Sequence, residues 1–410
     1  MKWQLLISWR NLWRNPRRTA VILVSVVVGI WMMLFMGATM WGMVRSMLDN
    51  SLANLTGHVQ IHHPGYLDDP AIENRIPRAG ELEDVLADTL PGGALFVARV
   101  RLNVAASNAR HAGGFVLVGS DLAREMEMTF LKDAVLEGEM PGEGPENGIL
   151  VGKKLLADFE TKIGNKLILM AQDSTGEIAS MAFRITGTFD TFLESSETGF
   201  AFAEQPVVQQ FLKMGEGISE VSILLPDIEQ TEPVAALLKE RLDASEYAVT
   251  RWQDRTPLVT AYIRIWDYFS YLWGVVVFLA MGFGLVNTLL MAVYERIREF
   301  GLVRALGTTP FRIVTGVLLE SSMLLLVGLA IGDVLALLAV WWLNVQGIDL
   351  AAFSGSTEML GMSRMVYPEI QIRDFLLFNA LVFVLGILVS LYPAVKASRF
   401  TPVEAMAHFK

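Results

Sequence analysis

The sequence predicts an integral membrane α-helical protein: four transmembrane helices, with a large α+β extracytoplasmic domain between helices 1 and 2. Three observations carry this. Four long stretches are wholly or almost free of charge. One long polar stretch, residues 45–264, separates the first from the second. Arginine and lysine collect at the span ends that this polar stretch does not occupy, the bias that marks cytoplasmic segments. With 410 residues and 53% hydrophobic content, the chain is too apolar for an ordinary soluble protein.

Charge is divided in the same way. The formal net charge is −10, yet residues 45–264 hold 19 Lys/Arg against 33 Asp/Glu, and the remainder holds 14 against 10. An acidic middle between basic ends fits two compartments and disfavours nucleic acid as a partner. There is no cysteine, so disulfides, a lipid-bearing cysteine and thiolate metal sites are excluded.

Residues 1–18 read as a cytoplasmic interfacial helix. Leu5, Leu6, Trp9, Leu12 and Trp13 share one face, and Gln4, Ser8, Asn11 and Asn15 lie opposite, as in helices that lie in the headgroup region. Residues 19–44 carry no charge. At ~1.5 Å per residue they exceed the ~30 Å hydrocarbon core and form the first span. Trp31, Met32, Met33, Phe35 and Met36 do not offer a signal-peptide cleavage site. Arg10, Arg14, Arg17 and Arg18 precede the span and place its start in the cytoplasm.

In 45–264, period-two alternation predicts strands in HVQIHH, FVLVGS, KLILMA, MAFRITGTF and VSILLP. Helical spacing covers 81–90, 152–159, 204–214 and 232–242. The second span is 266–294, where Gly282 and Gly284 predict close helix contact. The third is 310–343, followed by an external loop, 344–373. The fourth is 374–395, and 396–410 is a cytoplasmic tail. There Thr401 and Glu404 form a capping box, with Pro402 at the first helical position.

Residues 295–309 join the second and third spans on the cytoplasmic side. Glu295, Arg296, Arg298, Glu299 and Arg304 interleave with Ile297, Phe300, Leu302 and Val303, which predicts a short helix. Gly307 suits its end, and Thr309-Pro310 an N-cap and first-turn proline for the next helix. A solvated loop with a basic bias explains the composition. The order of residues is more specific.

ERIREFGLVRALGTTPFRI resembles the ER-REIG--RA-GA segment of ABC permeases of the FtsX, MacB and LolC/LolE superfamily. WRNLWRNPRRTAVILVSVVVG resembles the RNL-RN--R entry of that family, and YPAVKASRFTPVEAMAHF its PA--A---PVEALR ending. The three stand in the family's order. ILVGKKLLADFETKIGNKLILMA resembles, less specifically, a helix, glycine turn and strand of MacB and LolC/LolE periplasmic domains. The resemblance implies that 295–309 is a coupling helix docking on an ATPase through Glu295, Arg296, Ile297, Arg298, Glu299, Phe300, Gly301, Arg304, Ala305 and Gly307.

It further implies a bacterial inner-membrane protein with both termini cytoplasmic, and a dimer with a second permease copy or paralogue. The chain would not itself be catalytic. It would hold no cofactor, with ATP and Mg bound by separate ABC ATPase subunits. The nearest phosphate-loop string, GILVGKKLL from Gly148, has the wrong glycine spacing and Lys154 where Ser or Thr should stand. MacB carries a fused ATPase domain, and this chain departs from it. Four spans and a large external domain look most like lipoprotein-releasing permeases. The implied substrate is then a lipid-anchored protein, passed on to a periplasmic carrier. MacB-like efflux, FtsX-like control of an external hydrolase, and a membrane-anchored sensor or scaffold are the alternatives.

His58, His62 and His63 lie in one strand candidate without a positioned carboxylate, so they read as structural histidines and no metal is expected. Asn287, Glu320 and Asp333 are polar groups within spans, where ionisable side chains are costly and face protein or water. Glu320 and Asp333 would either pair across a subunit interface or line a polar cleft, or else meet a neighbouring helix and the outer headgroups. Gly328 and Gly332 form a small-xxx-small packing face.

Overall fold

A computed structural model describes residues 9–10, 12–132, 134–191, 194–353 and 361–400. The expectations for Leu5 and Leu6, and for the tail residues Thr401, Pro402 and Glu404, lie outside the described residues. The chain forms two compact units, each described by itself.

The membrane unit contains four helices long and apolar enough to cross a bilayer: TM1 (Pro16–Ser51), TM2 (Pro257–Glu295), TM3 (Pro310–Gln346) and TM4 (Ile372–Arg399). All four run beyond the charge-free windows, because a helix continues past the hydrocarbon region until its backbone is capped or broken. Their shared core holds Val26, Ile30 and Met33 of TM1, Met281 and Leu285 of TM2, Leu325 and Leu329 of TM3, and Phe378 and Val382 of TM4. Val28, Phe283, Leu338 and Val384 are exposed, an apolar outer surface suited to lipid or a second copy.

Small residues set the helix spacing. A Cβ on Gly328 would lie 2.7 Å from Val26 Cγ1. One on Gly332 would collide with Ile30 and lie 2.9 Å from the Val27 carbonyl oxygen. The small-xxx-small face therefore packs on TM1. Gly282 and Gly284 do not act in this way: a Cβ on Gly282 would lie 3.6 Å from Phe278 of the same helix, and one on Gly284 3.8 Å from Ser25 Oγ. The close contact of TM2 is made from the other side: a Cβ on Gly29 of TM1 would lie 2.9 Å from Met281 Sδ. Gly332→Ala is expected to lower the thermal stability of the detergent-purified chain by about 1–3 kcal/mol, the usual cost of overpacking. Gly316→Ala, which meets nothing within 4 Å, should leave it unchanged or higher.

The external unit is built on residues 46–261. Its strands are β1 (Val59–His62), β2 (Leu95–Ser107), β3 (Ala112–Ser120), β4 (Val135–Gly138), β5 (Gly148–Gly152), β6 (Lys166–Gln172), β7 (Ile178–Asp190), β8 (Phe200–Glu204), β9 (Glu220–Leu224) and β10 (Ala248–Arg251). They form one mixed sheet in the order β10-β1-β9-β2-β3-β8-β5-β7-β4, with β6 against β2 and β7. β3 pairs with β8, and β5 with β7, in parallel. Helices Ala79–Thr89, Gln205–Phe211 and Thr231–Arg241 bury Leu82, Leu86, Val208, Phe211 and Leu238 in one core with the sheet. A second core packs Phe130, Phe189, Phe200 and Phe202. The α+β expectation is met. The predicted helices appear at 79–89, 153–158, 205–211 and 231–241.

The last turn of TM1, from Ser46, belongs to the external unit. It ends in a π-helical turn, Leu52–Thr56, where Leu55 takes φ +67° and Gly57 φ +62°. The carbonyl of Leu55 accepts from Arg99 Nη1 at 2.6 Å and from Gln60 Nε2 at 3.0 Å. Arg99 is fully buried and forks onto Glu125, with Nε–Oε2 3.0 Å and Nη2–Oε1 2.8 Å. Glu220 lies at 3.6 Å, too far for a hydrogen bond. The reversal of the chain after TM1 is thus held by a buried guanidinium. Ser46 Oγ and Asn50 also fasten residues 361–363 of the second external loop.

The three histidines have local partners. His58 Nδ1 accepts from the Leu225 amide and His63 Nδ1 from the Gly65 amide. The His62 ring spans the His63 carbonyl at 2.8 Å and Thr250 Oγ1 at 3.2 Å. Burial pushes His62 below the ordinary histidine range. The unfolded chain therefore takes up this proton first as pH falls. The contribution of a neutral His62 is complete above about pH 6.5 and is lost below it, down through the lowered folded value. His62→Gln should flatten the fall in melting temperature between pH 6.5 and 5, measured against the parent chain.

Candidate coupling site

The surface helix spans Ile297–Ala305, separated from TM2 by a break at Arg296. Gly307, at φ +90°, ends it as its position predicts. Thr309 stands at the N-cap of TM3 with Pro310 behind it, but its side chain makes no capping hydrogen bond. The fixed φ of proline, rather than the hydroxyl, starts that helix.

The helix has two faces. Ile297 and Gly301 are buried, and Phe300 packs on a cluster of Val293, Ile313, Val317, Ala394 and Ala397. The polar residues of this face point back into the protein. Arg14 donates to Glu299. Arg296 Nε lies 3.1 Å from Glu299 Oε2, and its Nη1 lies 2.9 Å from Glu320 Oε2. Asn15 Nδ2 donates to Glu295 at 3.2 Å. Arg304 Nη1 donates to the carbonyl of Ser398, at the end of TM4, at 2.7 Å. Burial pushes Glu299 up, but hydrogen bonds from Arg14 and Arg296 outweigh it and hold the carboxyl below the ordinary glutamate value.

These contacts tie one short helix to the N-terminal segment, to TM3 and to TM4. Each exposed pair is worth little alone. The half-buried Arg296–Glu320 pair is the strong member, because its carboxylate would otherwise lie within a span without a counter-charge. Glu320 thus pairs within its own chain. Asp333 accepts from Asn379 Nδ2 of TM4 at 3.1 Å, a contact with a neighbouring helix. Asn287 is exposed on TM2.

The other face is apolar and open. Leu302 is 63% exposed, Leu306 79% and Phe311, just beyond, 74%. Arg298 is exposed four residues before Leu302. Arg298, Leu302 and Leu306 form one i, i+4, i+8 stripe. The docking residues expected from the sequence include Ile297, Phe300, Gly301, Ala305 and Gly307 beside the charged ones, and omit Leu302, Leu306 and Phe311. The same i, i+4 spacing, read as an outward stripe rather than a buried one, was the available signal.

A family description, the MacB-like periplasmic core domain, matches residues 19–241, more than half of the chain. The FtsX-like permease C-terminal domain matches residues 271–402, which include the surface helix and three spans. The chain belongs to the FtsX/MacB/LolC superfamily of ABC transporter permeases. The lipoprotein-releasing system transmembrane protein LolC of Xylella fastidiosa is 24% identical over 291 residues, 68% of each chain. The pyoverdine export ATP-binding/permease protein PvdT of Pseudomonas entomophila is 23% identical over 437 residues, 98% of this chain and 59% of its own length. Among solved structures, the periplasmic region of MacB from Actinobacillus actinomycetemcomitans covers 52% of this chain and 97% of that one, at 10% identity and a TM-score of 0.36. As a permease of this superfamily, the chain is a multi-pass membrane protein and a transporter component not catalytic by itself.

Proposed function

We propose that this permease is the membrane subunit of an ABC transporter whose ATPase is a separate chain, and that it extracts lipid-anchored proteins from the bacterial inner membrane. The observation that carries the coupling step is the outward stripe of Arg298, Leu302 and Leu306 on a helix whose Glu299 and Arg304, with Arg296 at its start, bond to its own protein. An exposed stripe of one guanidinium and two leucines suits a partner groove, and the inward ion pairs resist independent movement of the helix. ATP and Mg on the partner would close the ATPase pair and displace the helix together with TM3, TM4 and the N-terminal segment. The external domain is joined in sequence to TM1 and TM2, so their movement reaches it directly. Two permease copies, or this chain and a paralogue, would complete the unit in the inner membrane, with both termini cytoplasmic.

The likeness to LolC, a lipoprotein-releasing system protein, supports a lipid-anchored substrate, which would pass to a periplasmic carrier. Each acyl methylene withdrawn from the bilayer costs ~0.8 kcal/mol, so removing several chains needs an external energy source. The nearly full-length likeness to PvdT supports a second reading, export of a small molecule. One experiment separates them. The tagged chain is purified in mild detergent with its ATPase and placed in liposomes holding a fluorescent triacylated protein. ATP-dependent release of that protein supports extraction. ATP-dependent transport of a small molecule without protein release favours export, and failure to recover any ATPase contradicts the coupling proposal itself.

A further inference from the structure

The external unit is acidic as a whole, yet one cleft on it is cationic. Tyr66, Leu67, Pro70, Arg101, Asn103 and Arg255 line a cavity of about 190 Å³. Among the described residues, no carboxylate lines it. Arg101 and Asn103 lie two apart on β2, on one face of the strand. Arg255 ends the short helix Trp252–Arg255 that follows β10.

The charges behind the cleft do not balance. Arg99 forks onto Glu125. Glu220, itself buried, lies 3.6 Å from Arg99 and 3.8 Å from Arg101, and neither of its oxygens accepts a hydrogen bond within the described residues. Arg255 makes no ion pair with any described carboxylate. Arg99 and Arg101 thus share Glu125 and Glu220, and Arg101 and Arg255 both line the cleft. Arg101 is just 25% exposed in its side chain and rests over the Phe200 ring at 5.7 Å. A cation so poorly hydrated is stabilised by a counter-anion, and a guanidinium presents a planar fork of donors to oxyanions.

We propose that this cleft is a binding site for a phosphate group, held between Arg101 and Arg255 with the Asn103 amide beside them. A tetrahedral phosphate offers enough oxygens for two forks, whereas a carboxylate satisfies one. The phosphate is carried by a free ion or by a glycerol phosphomonoester, the headgroup of phosphatidic acid. This site is independent of the coupling proposal.

The test uses the full chain in detergent. Binding of inorganic phosphate and of glycerol 3-phosphate is measured by calorimetry, with thermal unfolding recorded against chloride at matched ionic strength. Both phosphates should raise the melting temperature beyond the chloride control. Arg255→Gln removes a side chain with no carboxylate to orphan, and should weaken binding about 10-fold or more, the loss of one charge-assisted fork. Arg255→Lys keeps the charge and should fall between. Arg110→Gln, on an exposed pair with Glu160, should bind as the parent does. Tighter binding of glycerol 3-phosphate assigns the headgroup source, and equal binding the free ion. Absence of any increment over chloride, or an Arg255→Gln chain that binds as tightly as the parent, would overturn the site.

Discussion

Leu302→Asp combined with Leu306→Asp is expected to abolish capture of the ATPase while leaving the permease folded. Both side chains are largely exposed in the free chain, so replacing them removes little internal packing. If both are covered on docking, the lost burial amounts to about 3–6 kcal/mol at ~1.5–3 kcal/mol per leucine. That is a loss of more than ~100-fold in affinity, before the cost of burying two carboxylates. The measurement is the yield of ATPase with the tagged permease, beside its melting temperature. Glu299→Gln provides the contrast. It loosens the contacts to Arg14 and Arg296 but leaves the outward stripe intact. It should retain the ATPase and lose part of the coupling between ATP hydrolysis and transport.

Arg99→Met should produce the largest loss of stability in the external unit. The substitution leaves buried Glu125 without a counter-charge, leaves Glu220 with Arg101 alone at 3.8 Å, and takes a donor from the Leu55 carbonyl. Breaking a buried pair from one side costs ~3–5 kcal/mol. For a domain of this size that corresponds to about 10 °C in melting temperature. Buried Trp252 reports the transition by fluorescence. Replacing Arg99, Glu125 and Glu220 together with apolar residues of similar volume should recover much of the loss. If Arg99→Met melts with the parent chain, the buried cluster does not hold this region.

The limits of legibility follow from range. Alternation exposed β6 and β7, whose outer faces are wet. It missed β5 and β8, because all five residues of β5 and four of five in β8 are buried and a continuous apolar run has no period. The surface helix was legible as an island of charge between two apolar runs. Which way it faces was not. Charged residues on a short helix ordinarily face water, yet Glu299 meets Arg14, 285 positions away, and Arg296 meets Glu320. No local pattern encodes such pairs. Gly328 and Gly332 announced their role through spacing, while Gly282 and Gly284 looked similar but would meet only ordinary contacts if they carried a Cβ. The second external loop read as a connection, but residues 361–363 are tied to Ser46 and Asn50, a contact set by the tertiary fold.

The most direct test of the coupling account uses the absence of native cysteine. Leu306→Cys is introduced as the sole cysteine and treated with a short bifunctional cross-linker in membranes containing the ATPase. Ile178→Cys, an exposed position on β7 of the external unit, serves as the control. The account predicts a permease–ATPase adduct from Leu306→Cys that disappears when Leu302→Asp is added, and no such adduct from Ile178→Cys. An Leu306→Cys chain that reacts with the linker but gives no ATPase adduct would contradict the account.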